Sequence, residues 1–127
     1  MTTNPFVGRW RIAEMSEWDR EYLDIEVPAF IDFEPKGLGS FQFGTVVGFL
    51  NCRVVKRGDE RVIEWSWEGS SDSDPACGRG WATLANGELC GRLFIHLSDD
   101  SEFRAVRENA HARRSSPNTR RTKSGPA

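Results

Sequence analysis

Apolar and polar residues alternate along most of the first hundred positions, the two-residue period of half-buried β-strands, whose successive side chains point to opposite faces. From Val7 to Glu14, Trp10 and Ile12 fall on one face and Arg9, Arg11 and Ala13 on the other. Ala29 to Glu34 sets Ala29, Ile31 and Phe33 against Phe30, Asp32 and Glu34, and Lys36-Gly37-Leu38-Gly39 is its turn. Ser40 to Val47 carries Phe41, Phe43, Thr45 and Val47 on one side, with Gly44 and Gly48 where a coiled strand needs small residues or a bulge. Phe49 to Lys56 is a fourth strand. Arg57-Gly58-Asp59-Glu60 then turns the chain into Arg61 to Glu68, where Ile63, Trp65 and Trp67 oppose Val62, Glu64, Ser66 and Glu68. Asn86-Gly87 supplies the two positive-φ residues of a type I′ hairpin between strands Arg79–Leu84 and Glu88–Leu97. A last tight turn, Ser98-Asp99-Asp100-Ser101, leads into Glu102 to Arg107.

Two stretches break the alternation. Ser16, with Asp19 three residues on, reads as a helix start, and Trp18, Tyr22 and Ile25 fall on one side of the short helix that Pro28 stops. Such a helix would lie as a lid over a barrel end. Gly69 to Gly78 reads as a loop, because Ser70, Ser71, Asp72, Ser73, Asp74 and Pro75 leave nothing to bury. Eight short strands joined mainly by tight turns predict an all-β fold: an eight-stranded antiparallel up-and-down meander closed into a barrel, with one short capping helix. Closure removes the strand edges that an open meander leaves free to mispair. A partly open barrel or a β-sandwich is the alternative.

Length and charge narrow the organisation. The chain has 127 residues, enough for one domain, predicted over 1–108. That segment has 12 Lys and Arg against 19 Asp and Glu, a net charge of −7. The tail 109–127 has Arg113, Arg114, Arg120, Arg121 and Lys123 with no acid and almost no apolar residue, the composition of a disordered basic segment. An acidic body is a poor surface for nucleic acid, whose affinity for proteins rests on neutralised phosphates. Three cysteines, Cys52, Cys77 and Cys90, are odd in number and lack metal-ligand spacing, and no apolar run follows basic residues at the start. Both features point to reduced thiols in the cytoplasm. No stretch approaches the roughly 18 apolar residues of a membrane helix.

Gly8-Arg9-Trp10 at the head of the first strand, with Arg104 and Arg107 late in the last, resembles the calycin (lipocalin-like) signature. That resemblance implies that the two strands pair, that an arginine lies across the Trp10 indole to close one end, and that the barrel holds a small apolar molecule. Gly8 to Ile12, Met15 to Asp19, Phe41 to Gly44, Glu64 to Glu68, Gly78 to Ala82 and Phe94 to His96 are also similar to an uncharacterised family of small bacterial proteins, which brings no activity with it. The chain is shorter than a typical lipocalin, closer in length to intracellular lipid-binding proteins, which leaves open a narrower lumen filled by its own side chains.

Candidate chemistry is sparse. Five tryptophans and eight phenylalanines either fill the barrel or line a pocket for an apolar or planar ligand. The residues proposed to line it are Phe43, Glu64, Arg79, Trp81 and His96, with Trp10, Arg104 and Arg107 as closure residues. His96 shares a face with Arg92 and Phe94, opposite Leu93, Ile95 and Leu97, so aliphatics inside place it outside or at the rim. A polar lumen would instead bring it to Glu64 and Arg79, at the cost of turning Trp65 and Trp67 to solvent. Arg79 is expected to pair with Glu64 or Glu68 across the sheet. No nucleophile elbow, phosphate loop, metal motif or cofactor motif is present, and Asp72, Asp74, Asp99 and Asp100 read as solvated turns. No residue is assigned to catalysis, to a metal or to a cofactor. The sequence therefore favours a cytoplasmic barrel that binds a small apolar or planar molecule over an enzyme. The alternative is a protein-interaction module that uses exposed aromatics or the basic tail.

Overall fold

In the computed structural model, which describes residues 4–108, eight strands follow one another: β1 (Gly8–Met15), β2 (Phe30–Phe33), β3 (Leu38–Phe43), β4 (Val46–Arg57), β5 (Glu60–Ser71), β6 (Asp74–Ala85), β7 (Glu88–Ile95) and β8 (Asp100–Arg107). Each pairs antiparallel with the next, and β8 returns to β1, so the sheet closes into an up-and-down barrel rather than a sandwich. At the seam Trp10 lies opposite Arg107 and Met15 opposite Phe103. The predicted tail, 109–127, lies outside the described residues.

Period-two alternation sends one set of side chains into the lumen. Trp10, Ile31, Phe33, Phe41, Phe43, Ile63, Trp65, Trp67, Leu93 and Phe103 are all buried there. Rings fit because glycines face them. Phe41 lies opposite Gly48, Trp67 opposite Gly78 and Trp65 opposite Gly80, and a β-carbon on any of the three glycines would collide with the facing side chain. The freed space lets rings meet, Phe41 with Trp67 at 5.0 Å and Phe33 with Trp65 at 5.5 Å between centroids. Trp67 Nε1 donates to the Phe94 carbonyl at 3.1 Å, whereas Trp65 Nε1 is buried without a hydrogen-bond partner.

The two ends are sealed differently. At the end where β1 begins, Trp10 Nε1 donates to the Phe6 carbonyl at 2.9 Å, and the Arg107 guanidinium sits 4.0 Å above the indole centroid. Arg107 also donates to the carbonyls of Val7 (2.6 Å) and Pro5 (3.0 Å). A cation over an indole face adds to these bonds. Arg104 has a different place, on the outside, where it ties β8 to its neighbours through Glu14 and Glu88. At the other end, helix α1 (Arg20–Leu23) and the residues before it form the cap. Trp18 packs on Phe43 at 5.0 Å, Leu23 is buried, and Gly44 N donates to the Leu23 carbonyl at 2.8 Å.

Three local readings are corrected. The helix is capped by Asp19, which accepts from Tyr22 N at 3.0 Å. Ser16 instead accepts from Glu102 N at 3.0 Å across the seam, and Ile25 is exposed. The turn after β3 falls at Gly44-Thr45, where Gly44 takes φ +56°, so Val46 rather than Val47 points inward. Finally, 69–78 is not a loop. β5 and β6 run through it as a hairpin whose two turn residues, Asp72 and Ser73, take φ +52° and +74°. Ladder pairing from Gly69↔Ala76 to Ser71↔Asp74 holds this extension with Ala76 alone packed on the core, and Asp tolerates the left-handed region.

Two measurements follow from this packing. Gly80→Ala is expected to destabilise the barrel by about 1–3 kcal/mol through overpacking against Trp65, read as a lower urea midpoint, whereas Ser66→Ala on the outer face of β5 leaves it unchanged. Equal midpoints for the two variants would refute the ring-over-glycine packing. Asp24 supplies the second. Burial by itself would raise its carboxyl, but the bond from Ala29 N, then Arg20 and Arg11, outweigh burial and hold it below its ordinary 3.8. A depressed folded-state value stabilises fully above the unfolded one and is lost as pH falls through the folded one. Asp24→Asn should therefore flatten the acid limb of the stability curve below about pH 4, and an unchanged acid limb would rule Asp24 out.

Candidate functional site

With Trp65 and Trp67 turned inward, the intervening residues of β5 face solvent, and cross-strand pairing assembles them into rows on the outer face of β4–β7. One row is Arg53, Glu64, Trp81 and Arg92; the next is Asn51, Ser66, Arg79 and Phe94. A third holds Phe49, Glu68 and Cys77, and His96 joins it through a backbone bond from its N–H to the Cys77 carbonyl at 2.8 Å. Small side chains at Asn51 and Ser66 leave the middle row low between taller neighbours. Two hollows result. The first, about 500 Å³, is bounded by Arg53, Arg57, Glu64, Arg79, Trp81 and Phe94. The second, about 640 Å³, is bounded by Phe49, Glu68, Cys77, Arg79 and His96. Asn51, Ser66 and Arg79 belong to both.

The residues singled out from the sequence are thus divided. Phe43 is fully buried in the lumen against Trp18 and Phe41. Glu64, Arg79 and Trp81 share the first hollow, while His96 lies two rows from Glu64 and shares only the second with Arg79. Glu64, Arg79 and His96 therefore do not converge. Arg79 pairs with neither Glu64 nor Glu68, because the register sets it opposite Ser66. Glu64 instead takes Arg57 at 2.6 Å and Arg53 at 3.7 Å. Arg92 takes Asp100 and Glu102. Arg79 makes no ion pair among the described residues, so it stands as an unneutralised cation between Ser66 and Phe94.

The aromatic walls were only partly foreseen. Trp81 and Phe94 are about one-third exposed, and Phe49 is 63% exposed. Trp81 faces Arg92 and Phe94 faces Arg79, which makes the two rings diagonal neighbours on adjacent strands. Backbone positions related in this way stand roughly 7–8 Å apart, within reach of aromatic side chains. Both rings border the first hollow and offer it aromatic surface. Phe49, Phe94, Arg53 and Arg57 could be placed here only once the register of three hairpins was known.

Among the described residues no three His, Cys, Asp or Glu side chains gather to hold a metal ion, and no helix is long and apolar enough to cross a membrane. Comparison with family models, with curated proteins and with solved structures returned no match. The reading of the site rests on its own geometry.

The three free thiols differ in setting. Cys52 points into the sheet interior, where burial and then the nearby Glu34 push its thiol up to about 12. Cys77 is exposed on the rim of the second hollow. Because the thiolate is the reactive form, iodoacetamide at pH 8 should label Cys77 first and leave Cys52 intact in the folded protein. Peptide mass mapping showing Cys52 labelled as fast as Cys77 would contradict the placement of Cys52.

Proposed function

We propose that this protein is a binding protein for a small planar molecule carrying an anionic group, held on the outer face of β4–β7 rather than in the lumen. One observation carries the reading: Arg79 lacks a carboxylate partner and lines the same hollow as two rings about one-third exposed, Trp81 and Phe94. The rings would contribute stacking and area, and the guanidinium would fix the charged group. The lumen is the poorer candidate, since the inward rings already pack on one another and Phe43 offers no free surface. Three free thiols fit a reducing compartment, and we assign the protein to the cytoplasm on that ground.

A second reading, a protein-interaction module, draws on Phe49 and Leu38, exposed by 63% and 56% beside the second hollow. Trp65 and Trp67, the aromatics that would serve such a surface if turned to solvent, are buried. The basic tail, its other proposed surface, lies outside the described residues.

Calorimetric titration with 1-naphthoate, a planar monoanion, separates these readings. Binding is expected, weakened roughly tenfold by Trp81→Ala and by Arg79→Gln and unchanged by the lumen variant Phe43→Leu. Sensitivity to Phe43→Leu without sensitivity to Trp81→Ala would put the ligand inside. No binding at all would remove the small-molecule reading and leave the interaction module.

A further inference from the structure

The first hollow has an uneven balance of charge. Its lining brings three guanidiniums, Arg53, Arg57 and Arg79, to a single carboxylate, Glu64. Glu64 accepts a hydrogen bond from Arg57 and forms a longer ion pair with Arg53, so one negative charge is shared between two cations and Arg79 is left uncompensated. The lining therefore carries two positive charges in excess, on a body whose net charge over residues 1–108 is −7. Self-repulsion across an acidic surface does not explain a local excess of that sign, whereas a doubly charged anion would neutralise it. A carboxylate supplies one negative charge. A phosphate monoester supplies about −1.5 to −2 near neutral pH, with three acceptor oxygens, and guanidinium groups match its geometry through paired N–H donors.

Resting on the reading above, we infer that the ligand class is a planar ring bearing a phosphate monoester. The ring lies against Trp81 and Phe94, and the phosphate lies toward Arg79 and the Arg53–Arg57 side of the hollow. Arg79 is the primary contact, because it need not give up an existing partner. Arg57 contributes by sharing its donors between Glu64 and the phosphate. Glu64 then acts as a selectivity element: it keeps Arg53 and Arg57 at the rim and would repel a ligand whose negative charge sits on the wrong side of the ring.

Three probes with one ring and different charge test this: 1-naphthyl phosphate, 1-naphthoate and 1-naphthol, each titrated calorimetrically into the full chain. The phosphate is expected to bind roughly tenfold or more tighter than the carboxylate, and the carboxylate tighter than the neutral alcohol. Arg79→Gln should reduce the phosphate to within about threefold of the alcohol, and Arg57→Gln should weaken the phosphate more than the carboxylate. Far-ultraviolet circular dichroism confirms that both variants keep the fold. If the carboxylate binds as tightly as the phosphate, the phosphate inference is overturned and the planar-anion reading stands. If all three bind equally, charge plays no part and Arg79 is not a contact. If none binds, both readings fall together.

Discussion

The packing of Trp65 and Trp67 against Gly80 and Gly78 fixes which way β5 and β6 face, and the closed hydrogen-bonded sheet passes that choice to the other strands. Two indoles side by side need room that a small barrel lacks unless the facing strand has no side chain there. Glycine at three inward positions, Gly48, Gly78 and Gly80, provides that room. The same glycines explain why the interior is a stack of rings rather than a ligand chamber. A closure with Arg107 across the Trp10 indole is thus combined with a lumen occupied by the protein's own side chains.

A filled interior moves the chemistry outward. On the outer face, residues are not crowded by a core and can keep charges unpaired at little cost, since exposed ion pairs contribute only modestly. Most of the arginines there are nonetheless engaged: Arg9 with Asp32, Arg92 with Asp100 and Glu102, and Arg104 with Glu14 and Glu88. Arg79 departs from that pattern for a reason of register, not of supply. Glu64 and Glu68 are both on the neighbouring strand, yet each lies opposite a different residue, Trp81 and Cys77. A register shift of two residues would have set Arg79 opposite Glu64 or Glu68 and removed the feature that makes the hollow a candidate site.

Much of this was legible in the chain. Alternation grouped Trp10 with Ile12, Ile31 with Phe33, and Ile63 with Trp65 and Trp67 on common faces, which the structure turns inward, and the Asn86-Gly87 signal located a hairpin the structure contains. The site was harder because it depends on pairing across strands, and pairing is set by turns. A two-residue turn fixes every pair in its hairpin. Three such turns, at Gly58-Asp59, Asp72-Ser73 and Asn86-Gly87, suffice to align Asn51, Ser66, Arg79 and Phe94. The middle one has no glycine and sits in a serine- and aspartate-rich stretch that looks like a loop. Missing it left β6 without a register, and the expected Arg79 ion pair followed from that gap. Helix α1 was misread for a related reason: four residues carry too little periodicity to reveal where they start.

The seam between Trp10 and Arg107 also bears on how the molecule forms during synthesis. Seven of the eight strand pairs join neighbours in the chain and can zip as soon as both partners leave the ribosome, but β1 must wait for β8, the last strand of the barrel. Contacts so distant in sequence slow folding, because the entropy of bringing the ends together is lost before the contacts form. Until then the first strand has one naked edge and an indole without its lid. The nascent barrel is an open sheet until β8 emerges, and pairing of β8 with β1 is the step that makes it a cylinder.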